Sequence, residues 1–202
     1  MALGDNKNVL VGIPDVSGGL WVSDLVSETS ALPKADTELA TAGFTAVGFI
    51  SEDGITEANE RDTDKVKAWG GDTVRILQNE HTITYSFTFL EMGNPEVLKL
   101  LFGEDNIETS GDTTTIKKNA KVLEHKTFVI EVLDGDKKIR LVVPDGQITE
   151  TGERQFSHNA VLQVEVTIEA FSDSDGNKGY EYHTAVTDGG ETDGGETDPE
   201  NP

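Results

Sequence analysis

The chain of 202 residues contains no cysteine. That excludes a disulfide framework, a thiol nucleophile, and any zinc or iron site built on Cys. Bases are scarce as well: 16 Lys and Arg against 38 Asp and Glu leave a formal charge of −22. Such a surface repels phosphate instead of gathering its counterions, so ordinary nucleic-acid recognition is not expected. Aromatic side chains make up 6% of the chain, too few to suggest a sugar-stacking cleft. No apolar run approaches the roughly 18 to 20 residues of a membrane span. The opening MALGDNKNVL lacks the basic and apolar regions of a signal peptide. The expectation is a soluble protein made in the cytoplasm.

What is present is β-patterned. In Glu80 to Glu91, the residues Ile83, Tyr85, Phe87 and Phe89 alternate with Thr82, Thr84, Ser86 and Thr88, a period of two that sets aromatics on one face and hydroxyls on the other. Asn94-Pro95-Glu96 followed by Val97, Leu98, Leu101, Phe102 and Gly103 carries an N-cap, a proline suited to the first turn and a closing glycine, and so predicts a short helix. Further strands are expected at Thr113 to Ala120, Thr127 to Leu133, Lys137 to Val143, Gln147 to Phe156 and Asn159 to Phe171, with earlier ones at Thr45 to Ile50 and Asp72 to Gln78. Asp134-Gly135-Asp136 joins two of them as a hairpin turn. The fold class is mainly β: a β-sandwich or partly closed barrel with one short flanking helix.

Three segments fall outside that pattern. Residues 1–40 are poor in regular patterning yet hold Val9, Leu10, Val11, Ile13, Leu20, Trp21 and Val22, and read as an extended N-terminal arm in search of a surface. Ser51 to Gly71 has little apolar content before Val66 and reads as a long functional or mobile loop. Residues 187–202 repeat TDGGE and read as a disordered acidic tail. Residues 173–202 hold nine acids and one base, which leaves about −14 on the body. The expected organisation is an arm over 1–40, a β domain over 41–186 and the tail over 187–202.

Catalytic patterns are missing. There is no Gly-x-Ser-x-Gly, and His81, His125, His158 and His183 sit among strand or turn residues as structural histidines. Gly18-Gly19 and Gly70-Gly71 lack the spacing of a phosphate loop and read as turns. Asp173 to Gly179 alternates oxygen ligands as a calcium loop would, but Lys178 and Thr184 stand where an EF-hand needs Gly and Glu, so it too reads as a turn. The carboxylate pairs Glu52-Asp53, Asp62 with Asp64, and Glu104-Asp105 follow from composition alone. No catalytic, cofactor-binding or metal residue is assigned, and an enzyme is not expected. Trp21 and Trp69 remain as candidate inter-subunit anchors, with core burial equally open for Trp69. Which residues would line any lumen is not legible.

Gly48-Phe49-Ile50-Ser51-Glu52-Asp53-Gly54-Ile55, followed by Asp64-Lys65-Val66-Lys67-Ala68-Trp69-Gly70-Gly71-Asp72, resembles the major tail proteins of long, non-contractile-tailed bacteriophages. The order that follows resembles them too: the Thr/aromatic strand, the helix, the turn Val142 to Ile148, and Thr167 to Phe171 running on to Tyr182. The resemblance implies a virion structural protein that forms six-membered rings stacked into a hollow tail tube, a passive conduit for the genome. It implies as partners further copies of itself, a tape measure protein inside the tube, tail terminator and tail-tip proteins at its ends, and double-stranded DNA in transit. The rival reading is an acidic β-sandwich binding module, with calcium at its loops, on a virion or cell surface.

Overall fold

The computed structural model describes residues 9–14 and 19–185; the TDGGE repeats lie outside them. The first half of the chain holds β1 (Ile13–Pro14), β2 (Leu20–Asp24), β3 (Thr45–Ala46), β4 (Thr56–Lys67), β5 (Thr73–Phe89) and the helix α1 (Pro95–Phe102). The second half holds β6 (Ile107–Ser110), β7 (Thr113–Ile116), β8 (Lys126–Asp134), β9 (Lys137–Thr151), β10 (Val164–Phe171) and β11 (Tyr180–Ala185). The fold is mainly β and antiparallel. One sheet runs β3-β2-β8-β9-β10-β5-β4, with β1 beside β8 and β11 beside β9, while β6 and β7 pair separately. Its path ends on β3 and β4, so the described strands do not close into a barrel.

Strand β9 is the spine. On one edge it pairs with β8; on the other, Lys137–Val142 pairs with β11 and Asp145–Thr151 with β10. Pro144 sits at the changeover, where its missing N–H costs the ladder nothing. The two residues read as ends of separate strands, Val143 and Gln147, therefore belong to one strand that passes through a bulge opposite Thr127. Gly146 is required here: a Cβ would lie 2.7 Å from the Phe128 ring and 3.0 Å from Ile168.

Both halves of the sheet turn their apolar side chains to one core. Leu20, Val22, Phe128 and Val143 come from one half, Tyr85, Phe87, Phe89, Val164, Val166 and Ile168 from the other, and Val97, Leu98, Leu100 and Leu101 from α1. Each buried aliphatic or aromatic side chain contributes roughly 1.5–3 kcal/mol, so this cluster dominates the stability. The helix starts as its sequence predicts. The Asn94 side chain accepts from the Glu96 N–H, Pro95 occupies the first turn, and Gly103 closes the helix at a φ of 86°. The turn at Gly135 likewise holds, with Asp134 paired to Lys137 around a two-residue loop.

The long loop is a correction. Thr56–Lys67 is a 12-residue strand paired along its length with β5, and Asp72 to Gln78 joins Glu80 to Phe89 as one 17-residue strand. All but Ala58 in β4 are exposed. With neither face buried, selection leaves no apolar alternation, and the period-two signal vanishes although the backbone is extended. At the other end, Asn159 to Gln163 stays outside β10, where Val161 is exposed.

A second, smaller cluster lies on the outer side of β8 and β9, where Leu32, Leu39 and Phe44 cover Val129 and Val142. Thus the segment between β2 and β3 lies over its own sheet. Beside this cluster Arg140 and Glu131, each 4% exposed, form a buried pair. Among the described residues no helix is long and apolar enough to cross a membrane.

Candidate assembly and wall surfaces

The β4–β5 hairpin projects beyond the core. From Thr56 to Ser86 at its base the two strands pair residue for residue as far as Asp62 with Glu80. A bulge follows between Asp62 and Thr63 and another between Val66 and Lys67. The tip is closed by Ala68 N–H to Asp72 C=O at 2.8 Å and Gly71 N–H to Ala68 C=O at 2.8 Å, with Gly71 at a φ of 92°. Trp69 stands on that tip fully exposed, and Val66, Val74, Ile76 and Leu77 are exposed behind it. Isolated exposed apolar residues are ordinary, but a fully bare Trp with four aliphatic neighbours along one hairpin marks an interaction site.

Trp21 is placed differently. It lies across from Ala46 on β3 and Val129 on β8 and packs, half-buried, against the Leu32, Leu39 and Phe44 cluster. Its indole N–H is buried and has no partner. The two tryptophans are therefore not brought together.

The second feature spans four strands. Thr56, Ala58, Glu60 and Asp62 of β4 lie beside Ser86, Thr84, Thr82 and Glu80 of β5. Thr88, Ser86 and Thr84 in turn lie beside Glu165, Thr167 and Glu169 of β10, and Thr167 and Glu169 beside Glu150 and Gln147 of β9. Paired residues share a face, and the opposite face of β5 and β10 holds Tyr85, Phe87, Phe89, Val166 and Ile168 in the core. The outer face is thus a field of hydroxyls, amide and carboxylates. Six acids stand at these paired positions and no Lys or Arg does; Arg61 of the edge strand β4 reaches the rim, where it shares a pocket with Glu60, Asp62, Glu80 and Thr82. Ser86 and Thr167 hydroxyls meet at 3.1 Å across the strands, so the face is knit by its own short side chains. The Thr/Ser and Glu/Thr alternations were legible in the sequence; which strands stand side by side was not.

The other sequence candidates resolve locally. His81 meets Asn59, His125 meets Asp145 and lies on the Phe171 ring, and His183 meets Glu181. Each has its own neighbour on its own stretch of sheet. The Asp173 carboxylate accepts from the Asp175 and Asn177 N–H groups and from the Tyr180 hydroxyl. Burial pushes its pKa up, but these donors together hold it below the usual carboxylate value. Its lone pairs are thus engaged in a turn. Glu52 and Asp53 are exposed, and Asp105 faces Lys121 at 3.5 Å. Among the described residues no three His, Asp or Glu side chains converge as a metal site would require.

A family model described as phage tail tube protein matches residues 1–186. The chain belongs to the phage tail tube protein family. It is a structural component of the bacteriophage virion, a subunit of the tail tube. No significant match is found among curated proteins. Of solved structures, the chain is similar to one titled as the anti-feeding prophage cap, its tube-terminating cap. That likeness has a TM-score of 0.43 at 10% identity, over 88% of this chain and 96% of that one, and adds nothing to the family assignment. For a tail tube subunit the hairpin and the acidic face are the surfaces that call for an explanation.

Proposed function

We propose that copies of this chain close into six-membered rings that stack into the tube of a long, non-contractile tail, and that the acidic face of β4, β5, β10 and β9 lines the bore through which double-stranded DNA passes. The observation that carries this reading is that face: four strands wide, acidic and hydroxylic, with no Lys or Arg at its paired positions and Arg61 alone reaching its β4 edge. A lysine 4 Å from a phosphate attracts it by about 1 kcal/mol in water. Repeated in every subunit, such contacts would hold the duplex against the wall. A carboxylate 10 Å away repels a phosphate by only about 0.4 kcal/mol before screening. The acids therefore offer no barrier one by one, but together they deny the DNA any resting place. The mechanism is passive conduction along a wall without minima.

Head-to-tail contacts that close generate rings, and complementary faces above and below extend rings into a filament. In this reading Trp69 is the inter-subunit anchor, and the part of the Trp21 ring left open by its own cluster is a second contact. A tape measure protein occupies the bore during assembly, and terminator and tip proteins cap the two ends. Electron micrographs of the purified, concentrated protein test the reading: stacked rings or tubes are expected. A persistent monomer whose melting point rises with calcium would overturn it in favour of a binding module. Glu165→Lys with Glu169→Lys in assembled virions should slow genome ejection, and unchanged ejection kinetics would remove the wall from the argument.

A further inference from the structure

On the side of the sheet opposite the acidic face lies a groove of about 680 Å3 between the loop that precedes β4 and the strands β8 and β9. Ile55, Ile130, Ile139 and Leu141 give it an apolar floor. Glu52, Asp53, Glu57 and Glu181 stand around it, and among the described residues no Lys or Arg lines it. Burial, then the carboxylates of Glu57 and Glu181, push the Tyr85 phenol in its wall well up. The groove thus has an apolar floor and an anionic rim.

The hairpin has the opposite character. Residues 63–78 carry Lys65, Lys67 and Arg75 against Asp64 and Asp72, a net +1 in a chain of −22. The same stretch holds Trp69 and the exposed aliphatics behind it. Groove and tip match in polarity and in charge, yet one copy cannot join its own. Glu57 at the groove and Lys67 near the tip lie on one continuous strand, and ten residues at about 3.3 Å each hold them roughly 33 Å apart. The hydrogen-bonded two-stranded ladder does not fold back on itself. A second copy, displaced along the strand direction, is the occupant that satisfies both ends. Because tip and groove are different surfaces, the contact is heterologous, and with the second copy displaced along the strand direction it propagates from ring to ring.

We infer that the Trp69 tip of one copy seats in the groove of a copy in the neighbouring ring, with the indole on the Ile55, Ile130, Ile139 and Leu141 floor and Lys65, Lys67 and Arg75 against the surrounding acids. This rests on the tube reading and names the receptor that ring stacking requires. The step between rings is then of the order of the 33 Å between tip and groove, as the roughly 3.3 Å rise per strand residue dictates.

The absence of cysteine makes the test direct. Copies carrying Gly70→Cys at the tip are mixed with copies carrying Asp53→Cys at the groove and treated with a short bismaleimide under assembly conditions. The pair Gly70→Cys with Val122→Cys, an exposed position elsewhere, is the control. The inference expects a cross-linked dimer at least tenfold above the control. Wild-type tubes with no cross-link above the control would overturn the groove assignment alone, whereas a wild-type chain that forms no tubes would remove the tube reading and the groove with it. A charge swap supplies the second arm. Lys65→Glu with Lys67→Glu should raise the concentration needed for assembly about tenfold, and Glu52→Lys with Asp53→Lys in the same chain should restore it. Failure of the swap to restore assembly, with circular dichroism unchanged, would also overturn the assignment.

Discussion

The buried pair beneath the segment between β2 and β3 makes the sharpest test of the energetics. Arg140 Nε donates to Glu131 Oε1 at 2.7 Å, and Nη1 donates to the carbonyls of Lys34 and Thr37. Lys138 reaches the same Glu131 oxygen at 2.8 Å. Arg140→Met keeps most of the packing volume but strands a buried carboxylate and two carbonyls. Breaking a buried pair by removing one partner costs roughly 3–5 kcal/mol, and each carbonyl left dry adds about 1–3 kcal/mol. Lys138 remains to compensate part of the carboxylate, and water admitted by the loosened segment relieves the carbonyls. The net expectation is a loss of about 3–5 kcal/mol. For a chain of this size that corresponds to a melting point lower by roughly 6–20 °C. Glu131→Leu added to Arg140→Met removes the stranded charge, and the double variant should recover at least ~2 kcal/mol, because a packed apolar pair often matches a buried ion pair. Urea unfolding followed by circular dichroism measures all three proteins. If Arg140→Met lies within 1 kcal/mol of wild type, or the double variant is no better than the single one, the pair does not clamp this segment as argued.

Further expectations follow from single contacts. Gly146→Val places a branched carbon against the Phe128 ring and should cost about 1–3 kcal/mol, read as a lower urea midpoint with an unchanged slope; a neutral effect would mean that β9 shifts freely at its bulge. Asn94→Ala removes the cap of α1 and should cost about 1 kcal/mol, while Asn94→Asp keeps it; equal losses in the two variants would deny the cap. Trp69→Ala should leave unfolding unchanged yet abolish polymerisation in sedimentation, and full polymerisation would end the anchor's role. Lys126, by its hydrogen bond and charge, holds the Asp24 carboxyl below the ordinary aspartate value. A lowered folded pKa contributes stability that is present above the unfolded value and lost as pH falls through the folded one. Asp24→Asn should therefore differ from wild type at neutral pH and converge with it in acid; curves that stay parallel would refute the linkage.

The parts of the fold legible in the sequence are those whose causes are local or one-sided. Asn94, Pro95 and Gly103 specify α1 within ten residues, and Tyr85, Phe87 and Phe89 declare a strand because one of its faces is buried. Strand β4 was illegible for the complementary reason, since Thr56 to Lys67 buries nothing within its own subunit and so obeys no apolar period. Pro144 hid the continuity of β9, because a proline in a strand is allowed only where the ladder changes partner, and that change is a long-range fact. The wall face shows the same limit. Its residues were visible as alternations on β5 and β10, but only the registers that join chain positions 56, 86, 150 and 167 assemble them into one surface.

The place of β10 in the sheet also sets a timetable. Lying between β5 and β9, it can enter only after synthesis has passed Phe171, late in the chain. Before then a nascent subunit already owns its hairpin but has no continuous wall, since β5 and β9 are not yet bridged. Pairings that close loops of some 80 residues form slowly, so completion of the wall follows formation of the local hairpins. On the proposed reading, a truncated product would have a tip able to engage a neighbour but no complete wall. Residues that contribute nothing to the tip thus act as a checkpoint on length, because only a chain read through β10 can present both surfaces at once.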